Sequence, residues 1–486
     1  MSVHIPILRR LLRHPLRVVC VDDQRTWKGF ELLVATWHIA REISRRSDAD
    51  HVALLLPTGG LFAPAALAGW MLGKVVVPLN YLLKPEEIDW IIEHSEVDCV
   101  VTVGPILDAL GYEPKIPTLR LDEMSFKGLP PIRRAVRKAD DDLAVLLYTS
   151  GTSGRPKGVM LSHGNITSNV RQIQEFIHFT QKDIILGALP QFHSFGFTVL
   201  TMLPLMVGMK TVYTARWVPT KVLKLIRQHH PTFFVGLPSM YNALLRLKDA
   251  TRDDFESFQY VVSGGEPLPD AVFDAFEERY GKRILEGYGL TETAPVTNWL
   301  RPSEFERGSV GLALPDVRVR IVSQDNEHDL EAGQDGEIRL AGPNIMRGYF
   351  KDPEQTAQVM DEQGYFKTGD MGQLDGDGKL RITGRIKEML IIGGENVFPR
   401  EIEEILNRHP DVHDSAVLGQ PDPSRGERAV AFVELVDGAG FDESKIRDFC
   451  FENLPRHKAP AWVKHVDALP RNPTGKIMRR ALKDQL

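Results

Sequence analysis

The chain has 486 residues, of which 26% are charged, 43% hydrophobic and 8% aromatic, and it carries a net charge of −6. That length corresponds to about three domain-sized units with real cores, which excludes a small fold stapled by disulfides or metals. The near-neutral balance excludes a protein built around nucleic acid, and three cysteines (Cys20, Cys99 and Cys450) without a CxxC pair argue for a reducing, cytoplasmic setting.

The first 21 residues carry Arg9, Arg10, Arg13 and Arg17 and no acid before Asp22. They hold one serine and run into a strand-like VVCVDD, so they predict a surface helix at the start of the fold rather than an import presequence. The same basic segment is compatible with weak contact to a membrane surface. Residues 51–79 are the most apolar stretch, yet two Gly-rich breaks and three prolines divide it into strand, helix and strand. A membrane span needs about 20 uninterrupted apolar residues, so no transmembrane segment is expected. At 85–94, Pro85 suits the first helical position and Ile88, Ile91 and Ile92 fall on one face. Strands follow at 99–103 and 144–150, a helix then a strand at 220–238, and a strand then a loop at 258–269. This alternation indicates an α/β architecture with largely parallel sheet.

After about residue 315 the texture becomes that of antiparallel hairpins: VRVRIVS, GEIRLAG and KLRITG, with a DGDG turn at 375–378. Beyond Gly384 an amphipathic helix at 399–410, a strand at 429–436 and a helix at 443–454 form a compact α+β unit. The boundary is placed at 384–387, giving domains 1–386 and 387–486.

Four segments carry chemistry. Residues 148–158, YTSGTSGRPKG, follow a buried strand and combine three glycines, four hydroxyls, Arg155 and Lys157. Backbone amides, hydroxyls and a lysine suit a polyphosphate, against the alternative of a polar turn. The spacing is not that of a Walker A loop, because Lys157 is followed by Gly158 and not by Ser or Thr. Residues 284–294, ILEGYGLTETA, place glycines on both sides of Tyr288, which leaves its ring open to a flat base such as adenine. Glu292 close by is a single hard carboxylate of the kind that shares Mg²⁺ with phosphates. The alternative is a core tyrosine and a surface glutamate. Asp370 and Arg385 suit a ribose, or else a turn cap and a solvated face. The basic tail holds Lys476 after Pro473-Thr474-Gly475, and charge runs at termini are commonly just solvated.

In this order and spacing the segments resemble the adenylate-forming superfamily: acyl-CoA synthetases, peptide-synthetase adenylation domains and luciferases. SGGEPLP at 263–269, GRIKEMLIIGGENVFPREIE at 384–403 and PRNPTGK at 470–476 resemble its other blocks. The resemblance covers nearly the whole chain and implies two mostly parallel αβα-type subdomains plus a small β-barrel-like subdomain, followed by a small mobile α+β C-terminal domain. It also implies roles. Thr149, Ser150, Gly151, Thr152, Ser153, Gly154 and Lys157 would grip the β,γ-phosphates. Gly264, Gly265, Glu266 and Pro267 would line the adenine, with Glu286, Gly287 and Gly289 around the stacking Tyr288. Thr291 would meet the α-phosphate, Glu292 would hold Mg²⁺, and Asp370 and Arg385 would hold the ribose. Lys476 would bring positive charge to the reacting groups, and Lys387 would be the hinge.

The implied reaction joins a carboxylate to ATP as acyl-AMP with release of pyrophosphate, and then transfers the acyl group to a thiol. LPQFHSFGF at 189–197 resembles the start of the acyl pocket of fatty acyl ligases, and His193 would sit near the carboxylate end unless it is a core histidine. The apolar run 198–208 suits an alkyl chain but equally suits a core helix. An amino-acid substrate is disfavoured, since 235–239 reads VGLPS without an acid, and luciferase is disfavoured by Ile391 where that enzyme has a lysine. The expected substrate is a medium- to long-chain fatty acid and the expected acceptor coenzyme A. A phosphopantetheine on an acyl carrier protein is the alternative acceptor, and an aromatic or specialised acid the alternative substrate.

Overall fold

The structure, a computed structural model, describes residues 2–149, the backbone of residue 150, and residues 155–471 and 477–486. Its first parallel sheet is built from the apolar runs found in the sequence. Strands Thr118–Arg120, Val100–Thr102, His51–Leu55, Val75–Pro78 and Leu143–Ser150 lie side by side and parallel. Pro156–Ser162 then adds antiparallel to Leu143–Ser150. Every residue of Val75–Pro78 and of the adjoining helix Phe62–Met71 is buried, as a sheet covered on both faces requires. Pro85 opens the helix Pro85–His94, and Ile88, Ile91 and Ile92 are its buried face.

A nine-stranded sheet holds the second parallel set. Its six central strands are Leu285–Gly289, Tyr260–Ser263, Phe233–Gly236, Ile184–Gly187, Lys210–Tyr213 and Val18–Val21, all parallel. Val296–Trp299 and Leu312–Ala313 extend one edge antiparallel, and Thr26–Lys28 the other. The basic N-terminal segment is the helix His4–Arg13 (α1), with Ile7 and Leu11 buried against the body. It is joined through Val18–Val21 to the long helix Gly29–Arg46 (α2).

The expected hairpin subdomain is a four-stranded antiparallel sheet, Arg318–Val322, Gly336–Ala341, Phe366–Leu374 and Leu380–Arg385. Its Ile338, Leu340, Phe366 and Leu380 join the same apolar core as both parallel sheets, which fuses the three layers into one body. The C-terminal part has a five-stranded sheet covered by helices Pro399–Leu406 and Glu443–Asn453. Ile402 and Leu406 are fully buried and Ile405 partly so. The buried residues of its two apolar clusters all come from Leu390 onward, separate from the main body. Among the described residues no helix is long and apolar enough to cross a membrane.

Candidate active site

In a parallel sheet all strand carboxyl ends lie along one edge, which is where such sheets bind ligands. Strand Tyr260–Ser263 delivers Gly264–Pro267 to that edge, and Leu285–Gly289 delivers Thr291 and Glu292. Gly264 is buried, and a Cβ there would stand 2.9 Å from the Phe195 ring, so only glycine fits between this strand end and the 194–197 turn. Gly265 has φ +83° and turns the chain outward. It lies exposed with Pro267, while Glu266 is half-buried. A Cβ on Gly289 would lie 1.9 Å from the Pro295 carbonyl oxygen, so glycine is required where the chain folds back beside Tyr288.

Tyr288, Asp370 and Arg385 come together. Asp370 and Arg385 are direct partners across the strands Phe366–Leu374 and Leu380–Arg385. Arg385 Nε lies 2.9 Å from Asp370 Oδ1, and the Tyr288 hydroxyl donates to Asp370 Oδ2 at 2.7 Å. Asp370 is buried on a strand and Arg385 half-exposed beside it. The turn-cap alternative for Asp370 therefore does not hold, whereas Arg385 is ion-paired yet exposed, in keeping with the solvated-face alternative. Asp370 holds the Arg385 guanidinium more firmly protonated than usual, while burial and the Asp370 charge push the Tyr288 hydroxyl up. This is a constrained carboxylate with a fixed guanidinium at its side, a pair shaped for vicinal hydroxyls and phosphate oxygen.

A second chain of contacts runs through the strands on either side of residues 151–154. Strands Leu143–Ser150 and Pro156–Ser162 form a hairpin in which Thr149 faces Lys157 and Tyr148 faces Gly158. Residues 347–350 add along the outer strand, with Phe350 N–H donating to Gly158 O at 2.8 Å and Met160 N–H to Gly348 O at 3.0 Å. That pairing places Tyr349 beside Lys157, whose ammonium lies 5.4 Å from the ring centre. The Tyr349 hydroxyl donates to Glu292 Oε1 at 2.9 Å. Burial pushes the Glu292 carboxyl up, and burial together with the Lys387 charge pushes the Lys157 ammonium down. Both groups thus lack a full countercharge. A polyphosphate would supply it to the lysine, and Mg²⁺ shared with phosphate oxygens would supply it to the carboxylate. The donor set fits that metal, which commonly takes one or two protein carboxylates and leaves the rest of its shell to substrate. Thr291 is buried and shares a hydrogen bond with Ser194, Oγ to Oγ1 at 3.2 Å.

Lys387 sits exposed in the turn Ile386–Glu388, immediately after Arg385. The C-terminal part meets the body here. Arg400 Nη1 donates to Ile382 O at 2.8 Å, and on the C-terminal side of the junction Arg479 lies 2.7 Å from Glu403 and 3.5 Å from Glu388. Glu286 faces this junction: burial pushes its carboxyl up to about 7, with the nearby Arg400 opposing the rise. His193 is exposed, so the core-histidine alternative fails; its Nδ1 accepts from Phe195 N–H at 3.4 Å. The Ser150 side chain, Gly151, Thr152, Ser153, Gly154 and Lys476 lie outside the described residues. Tyr349 and Ser194 were not anticipated from the sequence. No local sequence pattern points to Tyr349; the structure alone shows it beside Gly348, which has φ +126°.

The AMP-binding enzyme family matches residues 9–350, and the AMP-binding enzyme C-terminal domain matches 401–476. A long-chain-fatty-acid–CoA ligase of Bacillus subtilis is 36% identical over 352 residues, 71% of this chain and 62% of that protein. The chain thus aligns with less than two thirds of that relative's length. A sulfoacetate–CoA ligase of Cupriavidus necator is 33% identical over 444 residues, covering 89% of this chain and 86% of that protein. The ATP-bound crystal structure of MatB from Rhodopseudomonas palustris superposes with a TM-score of 0.90 at 30% identity, covering 100% of this chain and 99% of that one.

Proposed function

The chain belongs to the AMP-binding enzyme family, and from that premise we propose that it is an AMP-forming acid–thiol ligase. A carboxylate oxygen attacks the α-phosphorus of ATP, pyrophosphate leaves, and acyl-AMP forms. The coenzyme A thiolate then attacks the acyl carbon and AMP leaves. The observation that carries this reading is the meeting of the Tyr288–Asp370–Arg385 cluster with the Lys157–Tyr349–Glu292 chain around one strand edge. One end offers a base platform and a diol acceptor. The other offers a cation and a metal-competent carboxylate, the two kinds of group a nucleoside triphosphate needs at its phosphates.

Two anions must approach each other in the first step, so placed positive charge lowers the barrier most. Lys157 neutralises the β,γ-phosphates, with Thr149, Ser150, Gly151, Thr152, Ser153 and Gly154 beside it. Glu292 would hold Mg²⁺, which when bound would spread the phosphate charge. Thr291, braced by Ser194, meets the α-phosphate. Lys476 supplies charge at the reacting carboxylate and α-phosphate. No general base is required, because the carboxylate is already ionised near neutral pH.

The acid is a medium- to long-chain fatty acid on this reading. Support comes from the apolar run at 198–208, buried from Thr198 to Leu205 and half-buried from Met206 to Gly208, which contains the π-helical turn Thr198–Met202, a geometry frequent at functional sites. His193 stands exposed just ahead of it. Sulfoacetate is the acid named for the C. necator relative, so a specialised acid is the second reading. The deciding assay is pyrophosphate release from ATP across short to long fatty acids, aromatic acids and sulfoacetate, with and without coenzyme A. Acid-dependent pyrophosphate release followed by coenzyme A-dependent AMP release is expected. No response to any fatty acid refutes the substrate, and no response to any carboxylate refutes the ligase. A shift of holo acyl carrier protein with coenzyme A inert would replace the acceptor.

A further inference from the structure

The basic N-terminal helix carries an apolar face that the fold leaves open. Leu12 is 57% and Leu16 74% exposed, and Phe30 at the start of α2 is 42% exposed. The two helix ends are tied together: Gly29 N–H donates to Arg17 O at 3.0 Å and Phe30 N–H to Pro15 O at 2.8 Å. A Cβ on Gly29 would sit 2.8 Å from His14 O, so this crossing is as close as backbones allow. Leu16 therefore lies near Phe30 where the two helix ends cross, and Leu12 is exposed four residues before it, on α1. Along α2 the spacing 30, 34, 37 carries the stripe onward through the half-buried Val34 and Trp37.

The rim of this face is cationic. Arg9 and Arg13 are exposed on α1, and no ion pair among the described residues engages either. The acids that follow in sequence are already engaged: Asp22 by the Trp27 indole and backbone N–H groups, Asp23 by Lys221, Glu31 by Arg25, and Glu42 by Arg45 and Arg46. A second segment of the same character lies alongside. His38 of α2 bonds Gly128 O at 3.1 Å, and His4 of α1 bonds Val136 O at 2.9 Å, which ties the two ends of residues 129–135 to the middle of α2 and the start of α1. Leu129 and Ile132 there are 81% and 72% exposed, and Arg133 and Arg134 follow without an acid until Asp140.

We propose that this face of α1, α2 and residues 129–135 docks on an anionic phospholipid surface, with the leucines, Phe30 and Ile132 at the headgroup–acyl boundary and the arginines on lipid phosphates. Exposed leucines on ridges, ringed by unmatched arginines, offer insertion and charge at once. A chain of overall charge −6 that nevertheless gathers arginines around its most exposed leucines has the complementarity such a surface needs. The face uses none of the residues assigned to the nucleotide. Its test is accordingly independent of the activity.

The test is co-sedimentation of the full chain with phosphatidylcholine vesicles, pure or containing about a third phosphatidylglycerol. Binding to the anionic vesicles alone is expected, falling with salt. Leu12→Ser with Leu16→Ser should abolish it, and Arg9→Glu with Arg13→Glu should weaken it at least ~10-fold, since each basic group near such a surface contributes about a fivefold factor. Both pairs are exposed, so unchanged melting temperatures should accompany the loss. No sedimentation with anionic vesicles overturns the proposal, as does sedimentation that both variants retain. Loss by the same variants of binding to an acidic acyl carrier protein, with vesicles ignored, overturns it in favour of a protein-docking face.

Discussion

Replacing Asp370 by Asn tests the nucleotide site most directly. The carboxylate accepts from the Tyr288 hydroxyl at 2.7 Å and pairs with Arg385 Nε at 2.9 Å, and in the proposed complex it also accepts from the ribose. Asparagine keeps one acceptor oxygen and loses the charge. A hydrogen bond to a buried charged group contributes about 1.5–3 kcal/mol, whereas the Arg385 pair, half-exposed, contributes no more than about 1. The loss felt by bound ATP is then about 3 kcal/mol, or roughly 150-fold in kcat/KM at about 1.4 kcal/mol per tenfold. Isotope exchange between pyrophosphate and ATP, at saturating acid, should show that fall mainly as a raised KM for ATP. The melting temperature should move little, because the site is at an edge and its neighbours remain paired. A kcat/KM within about fivefold of the parent would refute the ribose assignment. A double-mutant cycle with Arg385→Gln should give a non-additive remainder, since the two groups touch.

Tyr349→Phe removes the donor that favours the charged form of Glu292, whose carboxyl burial already holds above its usual range. The acid limb of the kcat/KM–pH profile should therefore move to higher pH, with about a tenfold loss of adenylation; an unmoved limb refutes the link. Lys476→Ala should abolish adenylation but spare thioester formation from added acyl-adenylate, and equal loss of both steps contradicts a reorienting domain. Glu286→Gln should flatten the pH dependence of thermal stability. The parent carboxyl is pushed up to about 7 in the fold, so the parent binds more protons folded than unfolded and loses stability as pH rises from about 4.5 to about 7. A melting-temperature scan from acid to alkaline pH checks this, and an equal slope in the variant refutes it. Gly384→Ala would set a Cβ 2.3 Å from the Phe398 ring, so it should lower the melting temperature or displace the C-terminal part, as limited proteolysis would register.

Much of this architecture was legible because each element announces itself locally. Pro85 with Ile88, Ile91 and Ile92 defines a helix and its face, and the interrupted apolar stretch at 51–79 resolves into strand, helix and strand. The Asp370–Arg385 pair was also within reach. Counting outward from the DGDG turn pairs Leu374 with Leu380 and, across one bulge, Asp370 with Arg385. Contacts between distant segments were not legible. Tyr349 reaches Glu292 across 57 residues, and Ser194 reaches Thr291 across 97. No periodicity encodes such pairings. They depend on residues 347–350 adding to the Pro156–Ser162 strand and on the 194–197 turn packing against Gly264. The segment proposed for phosphate likewise connects two antiparallel strands, where a helix N-terminus would be the commoner anion site.

The two proposed half-reactions need different surroundings, and the way the C-terminal part is attached suits that need. Its buried clusters are its own, so it can stay folded while its contacts with the body change. Those contacts are largely polar and near solvent: Arg408 on Asp270, Arg246 on His413 and Arg400 on the Ile382 carbonyl. Each such contact contributes at most about 1 kcal/mol, so exchanging them for another set costs little. The apolar contact of Phe398 on Gly384 lies next to the turn that holds Lys387, where a pivot displaces atoms least. Asp370 and Arg385 stand on the body's side of that turn. On this reading the nucleotide stays gripped by the body while the segment with Lys476 departs and the Gly393–Gly394 turn approaches, two glycines in the left-handed conformation that let a backbone come close to a thiol's path.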